Sequence, residues 1–165
     1  MIDSDGWLHT GDKAKIENDH IYITGRIKDI LVLSNGEKVP PADMDLAITL
    51  DPLFEQALVI GEGKPFLSAI IVLDPYLWQK EASKQGYDLT DNEALKSKPV
   101  QRFILDRIKR RLKGFPGYAN VKAVTLHEKQ WTVEDGTMTP TLKLKRSVII
   151  ERNEDAIRRM YQRHI

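Results

Sequence analysis

The chain has 165 residues, of which 41% are hydrophobic and 30% are charged, a balance typical of a globular domain with a real core. Its 25 basic and 24 acidic residues give a formal net charge of +1, so no global field favours nucleic acid, and no nucleic-acid partner is expected. The absence of cysteine excludes disulfides and thiolate metal sites, and it fits a reducing, cytoplasmic location.

The first twelve residues, "MIDSDGWLHTGD", carry no basic segment followed by an apolar one, so they do not resemble a signal peptide. They open on turn residues, as expected of a longer chain that has been cut in a loop. No apolar run reaches the length of about 18 residues that a transmembrane helix needs.

Two hairpins are predicted next. Residues 13–25 alternate apolar and polar side chains on either side of Asn18-Asp19, and residues 29–39 do the same around Asn35-Gly36, the strongest short hairpin signal in the chain. A helix is predicted to start at Pro40-Pro41, because proline is tolerated in a first helical turn.

Further along, the pattern predicts two buried strands around Gly61–Gly63, a helix over 76–85 that ends at Gly86, and an amphipathic helix over 99–113 that ends at Gly114. The polar segment around "DLTDNEALKSK" is expected to be a loop with one helical turn. A strand at "NVKAVTLHE" and a last helix capped by Ser147 follow. These elements indicate an α+β fold, in which helices flank a small mixed sheet and β-hairpins lie at the N-terminus.

Residues 139–146, "TPTLKLKR", alternate leucine and lysine. On a half-buried edge strand this pattern would put Leu142 and Leu144 on one face and Lys143 and Lys145 on the other, where lysine discourages edge-to-edge association. That structural interpretation is adequate by itself. The alternative is that one of the two lysines takes part in chemistry.

Three segments occur in an informative order: "GWLHTGD" at 6–12, "GRIKDILVLSNGEKVPP" at 25–41 and "WTVEDGTMTPTLKLKR" at 131–146. Together they closely resemble the C-terminal motifs of the adenylate-forming acyl-CoA synthetases, and the last segment is most similar to the long-chain fatty-acid branch. The resemblance covers nearly the whole chain. It implies that residues 1–25 are the tail of a large AMP-binding domain and that residues 26–165 form the small C-terminal α+β domain.

The resemblance also implies roles for individual residues. Asp12, which alone would be a turn residue, matches the aspartate that accepts hydrogen bonds from the ribose hydroxyls of ATP. Arg26 matches an arginine that contacts the nucleotide. Lys28 occupies the hinge position, where many relatives have aspartate. Gly36, in a turn that a hairpin alone would explain, matches the loop that lines the CoA tunnel.

Lys143 is the candidate catalytic residue. Relatives carry a lysine with an arginine three residues later, a spacing that Lys143 and Arg146 reproduce and that favours Lys143 over Lys145. An ammonium group between the substrate carboxylate and the α-phosphate would offset the repulsion of two anions. Relatives have Ser-Gly before this lysine, whereas this chain has Thr141-Leu142.

The basic face of the 99–113 helix could bind the 3′-phosphate of CoA, could contact an anionic membrane, or could simply be solvated. Four histidines show no metal-binding spacing, so no protein-held metal is expected, and magnesium would arrive with the ATP phosphates. The six basic residues on this face are Arg102, Arg107, Lys109, Arg110, Arg111 and Lys113.

The sequence therefore predicts the C-terminal part of a fatty-acyl-CoA synthetase, which would form acyl-AMP from a fatty acid and ATP and pass the acyl group to CoA. The expected partners are an N-terminal AMP-binding domain in the same protein, the three substrates and, peripherally, a membrane. The isolated chain is expected to be inactive because it has no phosphate loop. Two alternatives are an adenylation domain that loads a carrier protein and a non-catalytic interaction domain.

Overall fold

The computed structural model describes residues 2–26, 30–87 and 94–162. Both predicted hairpins are present. In the first, β1 (Asp12–Glu17) pairs antiparallel with β2 (His20–Arg26), and the positive φ angles of Asn18 (50°) and Asp19 (59°) make the tight turn between them. The second consists of β3 (Leu31–Val32) and β4 (Lys38–Val39), whose strands are shorter than predicted.

A three-stranded sheet forms the centre of the remaining structure. Its strands are β5 (Phe54–Ile60), β6 (Leu67–Leu73) and β7 (Val121–His127), in the order β5-β6-β7. The β5-β6 pair is antiparallel and the β6-β7 pair is parallel, so the sheet is mixed, as predicted. All seven residues of β6 are buried, because this central strand is covered on both faces.

Three helices follow the predicted pattern: α1 (Pro41–Thr49), α2 (Pro75–Gln85) and α3 (Lys98–Arg111). A 3₁₀ turn covers Ala94–Lys96 in the predicted polar loop, whose residues 88–93 lie outside the described residues. The Asp74 carboxylate caps α2 by accepting the N–H of Leu77 at 2.8 Å. Gly86 ends α2 with a φ of 70°, a left-handed conformation that glycine adopts without a steric penalty. The predicted end of α3 is wrong by two residues: the chain leaves the helix at Leu112, before Gly114.

The sheet separates two hydrophobic cores, because alternate residues of each strand point to opposite faces. One face packs against α1, α2 and α3 through side chains such as Ala57, Ile71 and Ile104. The other face packs Leu58, Ile70 and their neighbours against Trp131 and the C-terminal helices. This layering explains why β5 and β6 read as continuous apolar runs in the sequence.

The C-terminal helix is broken in two, contrary to the prediction of one helix capped by Ser147. Helix α4 spans Arg146–Arg152 and α5 spans Glu154–Gln162, with Asn153 between them. Lys145 occupies the N-cap position and Ser147 lies inside the first turn, so its side chain caps nothing. The side-chain amide of Asn153 instead donates to the carbonyl of Ile149 and its oxygen contacts His127, which fixes the break against β7.

These elements confirm the α+β fold class. Within the described residues, no helix is both long enough and apolar enough to cross a lipid bilayer.

Candidate functional site

The lysine-containing segment is a tight loop, so the edge-strand interpretation of 139–146 is wrong. Met138 and Leu144 form an isolated antiparallel bridge, and Thr139 closes the loop by donating its N–H to the carbonyl of Lys143 at 2.8 Å. Within the loop, the Leu142 N–H donates to the carbonyl of Thr139, which closes a turn over 139–142, and Leu142 has a φ of 59°. This is a three-residue hairpin with its last loop residue in the left-handed region. We call residues 132–145 the lysine loop.

Leu142 departs from the predicted alternation. Its side chain is 69% exposed, on the outside of the loop, whereas the alternation would have buried it with Leu144. Leucine in the left-handed region is uncommon, since its Cβ clashes with the following carbonyl oxygen. It occupies the position at which the sequence resemblance places glycine.

Lys143 is held at its backbone by Thr139. The Lys143 carbonyl accepts from the Thr139 N–H, and the Lys143 N–H donates to Thr139 Oγ1 at 3.1 Å. The Lys143 side chain is exposed, and so is that of Lys145. Exposure therefore does not distinguish the two lysines. Nor does backbone bonding, because the Lys145 N–H donates to the Thr137 carbonyl at 2.8 Å and the Lys145 carbonyl accepts from the Ile149 N–H at 3.1 Å.

Asp135 organises the other arm of the lysine loop. Its carboxylate accepts hydrogen bonds from the N–H and hydroxyl of Thr137 and from the N–H of Thr132, and these bonds lower the pKa of Asp135, with the Thr137 hydroxyl as the largest cause. Thr137 itself is 2% exposed. The loop is thus cross-linked internally by short polar contacts.

Arg146 anchors the C-terminal end of the lysine loop. Its guanidinium donates to the Asp45 carboxylate of α1 and to the carbonyl of Val59 in β5, while the Val59 N–H donates to the other Asp45 oxygen at 2.6 Å. Burial raises the pKa of Asp45 to about 6, against the opposing effects of the Arg146 charge and the Val59 N–H. One ion pair therefore ties α1, β5 and the start of α4 together.

The Gly36 turn has a different support. Gly36 has a φ of 85° and donates its N–H to the carbonyl of Leu33, and Asn35 Oδ1 accepts the N–H of Glu37. The turn contacts the β5-β6 connection, because the Ser34 N–H donates to the Lys64 carbonyl at 3.0 Å. A glycine is required here by the backbone, whatever the turn binds.

The β1-β2 register brings two of the other candidates together. Asp12 at the start of β1 lies opposite Arg26 at the end of β2, so they are cross-strand neighbours. Lys28, the candidate hinge, lies outside the described residues. Trp7 is 73% exposed, and His9 contacts the Asp3 carboxylate at 2.8 Å.

The basic face of α3 is smaller than its sequence indicates. Arg107 makes a bidentate ion pair with the buried carboxylate of Asp51, at 2.6 and 3.0 Å, and Arg111 lies 3.8 Å from the same group. Burial alone would raise the pKa of Asp51, but these arginines and the N–H of Leu53 outweigh it, and the net pKa is lowered. Arg107 therefore joins α3 to the α1-β5 connection instead of belonging to a solvated face.

Among residues 2–26, 30–87 and 94–162, no group of three or more His, Asp or Glu side chains is placed to hold a metal ion.

Two residues that hold the lysine loop were missed from the sequence. Asp45 sits in the same helix as the buried Met44 and Ile48, a half-buried position at which a carboxylate needs a cationic partner, so that signal was available. Gln56 in β5, which binds the backbone of Trp131, gave no comparable signal because its partner lies 75 residues away.

Comparison with known proteins places the chain in a family. Residues 28–164 match the model of the AMP-binding enzyme C-terminal domain. The chain is 31% identical over 188 residues to the long-chain-fatty-acid–CoA ligase ACSBG1 of Rattus norvegicus, covering 98% of this chain and 25% of that protein. It is 36% identical over 165 residues to long-chain-fatty-acid–CoA ligase 6 of the same organism, covering 97% of this chain and 24% of that protein.

Solved structures share the fold. The adenylation domain of a carboxylic acid reductase from Segniliparus rugosus, in complex with AMP, superposes with a TM-score of 0.82 at 22% identity, over 99% of this chain and 25% of that one. A fatty acyl CoA synthetase of Mycobacterium tuberculosis gives a TM-score of 0.53 at 25% identity, over 94% of this chain and 26% of that one. The chain spans about a quarter of the length of these relatives. The match over residues 28–164 shows that the chain belongs to the AMP-binding enzyme C-terminal domain family.

Proposed function

We propose that this chain is the C-terminal part of an enzyme that activates a long-chain fatty acid with ATP, forms acyl-AMP and transfers the acyl group to CoA. Residues 1–25 would be the tail of the large domain, and residues 26–165 the small domain that closes over it. The observation that carries the proposal is the lysine loop, which presents Lys143 on an internally cross-linked, anchored support.

Lys143 would act in the first half-reaction. Its exposed ammonium group would lie between the fatty-acid carboxylate and the α-phosphate, where it offsets their repulsion and stabilises the charge that develops in the transition state. A fixed backbone helps, because an electrostatic group that is already in place needs no reorganisation during the reaction.

The nucleotide would be held at the end of the first hairpin. The cross-strand placement of Asp12 and Arg26 is compatible with both residues meeting one ribose, where a carboxylate can accept from two hydroxyls. Magnesium would be carried by the ATP phosphates. The Gly36 turn would approach CoA in the second half-reaction, after a rotation about Lys28.

The first hairpin supports the presence of a partner domain. Ile16 and Ile21 are cross-strand neighbours that are 77% and 71% exposed, and Tyr22 and Trp7 are exposed nearby in sequence. A large AMP-binding domain in the same protein would cover such side chains. We propose a cytoplasmic enzyme, peripheral at the membrane where its acyl substrate resides, and an isolated chain that catalyses nothing by itself.

The proposal is tested in the full-length protein by ATP–pyrophosphate exchange that depends on added fatty acid. Lys143→Ala is expected to slow exchange by about 10²- to 10³-fold, the usual loss when one preorganised charge is removed. Lys145→Ala is the matched control, since Lys145 is exposed on the same loop, and it is expected to have a mild effect. If Lys145→Ala abolishes exchange and Lys143→Ala leaves it normal, the catalytic residue is Lys145 and the assignment to Lys143 is wrong.

Exchange and a separate measurement of acyl-CoA formation together distinguish the rivals. One of them is an adenylation domain for which a carrier protein replaces CoA as the acceptor. Such an enzyme would show exchange but no acyl-CoA. A non-catalytic interaction domain would show no exchange in any full-length form.

A further inference from the structure

Gln56 lies where the β5 strand departs from regular pairing. Phe54 and Gln56 pair with the consecutive residues Leu73 and Val72, so Glu55 is the extra residue of a β-bulge. A bulge re-aims the side chains beside it. Here the Gln56 carboxamide is half-buried and points to the base of the lysine loop.

The carboxamide of Gln56 forms two hydrogen bonds to the backbone of one residue, Trp131. Its Nε2 donates to the Trp131 carbonyl at 3.0 Å and its Oε1 accepts the Trp131 N–H at 2.7 Å. The same Nε2 lies 3.6 Å from the sulfur of Met138. One side chain therefore contacts the residue before the lysine loop and a residue within it.

Those contacts lead to Lys143 in two steps. Met138 forms the bridge with Leu144, which is the residue after Lys143. At the far end, Arg146 is fixed by Asp45 and Val59. Because β5 is an outer strand of the sheet, the side chains of Asp45 and Arg146 bind the backbone N–H and C=O of Val59, which a neighbouring strand would otherwise bind.

We propose that Gln56 is a positioning residue for Lys143: it fixes the lysine loop against β5 and so sets the rate of adenylate formation without touching the substrates. This inference rests on the proposed function. A loop that is cross-linked internally can still move as a unit if its base is released, and a displacement of about 1 Å at a reacting group can cost about 10²-fold in rate.

The test compares both half-reactions in the full-length enzyme. Gln56→Leu keeps the approximate volume and removes both hydrogen bonds, whereas Gln56→Glu keeps only the acceptor for the Trp131 N–H. We expect kcat for ATP–pyrophosphate exchange to fall by about 10- to 100-fold in Gln56→Leu and by less in Gln56→Glu. The KM for ATP and acyl transfer from supplied acyl-adenylate to CoA should change by less than about twofold, since neither depends on Lys143.

Gln101→Leu is the matched control. Gln101 is another half-buried glutamine, and its side chain donates to a backbone carbonyl, that of Leu95, but it lies on α3 away from the lysine loop. Neither half-reaction should change in it. In the 165-residue chain, amide hydrogen exchange of residues 132–145 should accelerate in Gln56→Leu while that of β6 stays unchanged.

The outcomes separate this inference from the proposed function. If Lys143→Ala slows exchange but Gln56→Leu does not, the role of Gln56 is refuted and the proposed function stands. Equal losses in both half-reactions in Gln56→Leu and Gln56→Glu would show a structural role only and would also refute it. If Lys143→Ala itself has no effect on exchange, the proposed function is refuted, and with it the role of Gln56.

Discussion

Leu142 shows how a single backbone conformation links local strain to the candidate site. Its φ of 59° and its 69% exposure mean that the chain accepts a steric penalty without gaining buried apolar surface in return. Strained residues of this kind persist only where the surrounding structure imposes them, and they concentrate at functional loops. Here the bond from Thr139 to Lys143 closes the loop and imposes the conformation on Leu142.

Replacing Leu142 by glycine should stabilise the fold. Leu142→Gly removes the left-handed penalty, and we expect the free energy of unfolding to rise by about 1 kcal/mol. Urea denaturation of the chain measures it. Leu142→Ala keeps a Cβ in the same conformation and should give no gain. A stability that does not change in the glycine variant would show that the loop relaxes away from the positive φ.

Asp45 should make stability depend on pH. Its folded pKa of about 6 lies above the ordinary value of 3.8, so its contribution is fully present below the ordinary value and is lost as the pH rises through about 6. Between pH 5 and pH 7.5, this group alone should lower the free energy of unfolding by about 1 kcal/mol.

Asp45→Asn provides the comparison, because the amide does not titrate. Burial lowers the pKa of His127, so this residue makes the free energy of unfolding rise with pH. It does so in both proteins, and its effect cancels when the two are compared. The stability of the wild type relative to the variant, measured from urea midpoints, should therefore fall as the pH rises from 5 to 7.5. A constant gap between the two proteins would contradict the raised pKa of Asp45.

At the scale of elements, patterns of local origin were predictable and patterns set by distant contacts were not. The apolar runs of β5 and β6 and the cap glycine of α2 depend on neighbours in sequence, and both predictions were confirmed. The "TPTLKLKR" segment alternates like a strand, yet it is a loop because its partners are its own preceding residues and the Asp45 carboxylate. The break at Asn153 likewise depends on His127, which is 26 residues away.

Helix α2 offers a test of local capping. Asp74 accepts the N–H of Leu77, so Asp74→Ala should lower the free energy of unfolding by about 1 kcal/mol. Asp74→Asn retains an acceptor oxygen and should lose much less. Thermal unfolding followed by circular dichroism measures both variants. Equal losses would mean that the negative charge at the helix terminus matters more than the hydrogen bond.

At the scale of the whole molecule, the candidate site residues are held by different elements of the fold. The lysine loop rests on α1 and β5, whereas the Gly36 turn rests on the β5-β6 connection. Asp12 and Arg26 lie together in the first hairpin, before the candidate hinge. Sequence resemblance named these residues, but a single sequence could not show what holds each of them, since most of the supporting contacts join residues far apart in the chain.

The central claim is that the lysine loop serves adenylation and the Gly36 turn serves transfer, with a rotation at Lys28 between them. Pre-steady-state assays of both half-reactions in the full-length enzyme test it most directly, with two variants side by side. Lys143→Ala should lose acyl-adenylate formation by about 10²- to 10³-fold and keep transfer from supplied acyl-adenylate. Lys28→Pro, which fixes φ near −65° and restricts the preceding residue, should keep adenylate formation and lose transfer to CoA. Parallel losses of both half-reactions in both variants would contradict the division of labour.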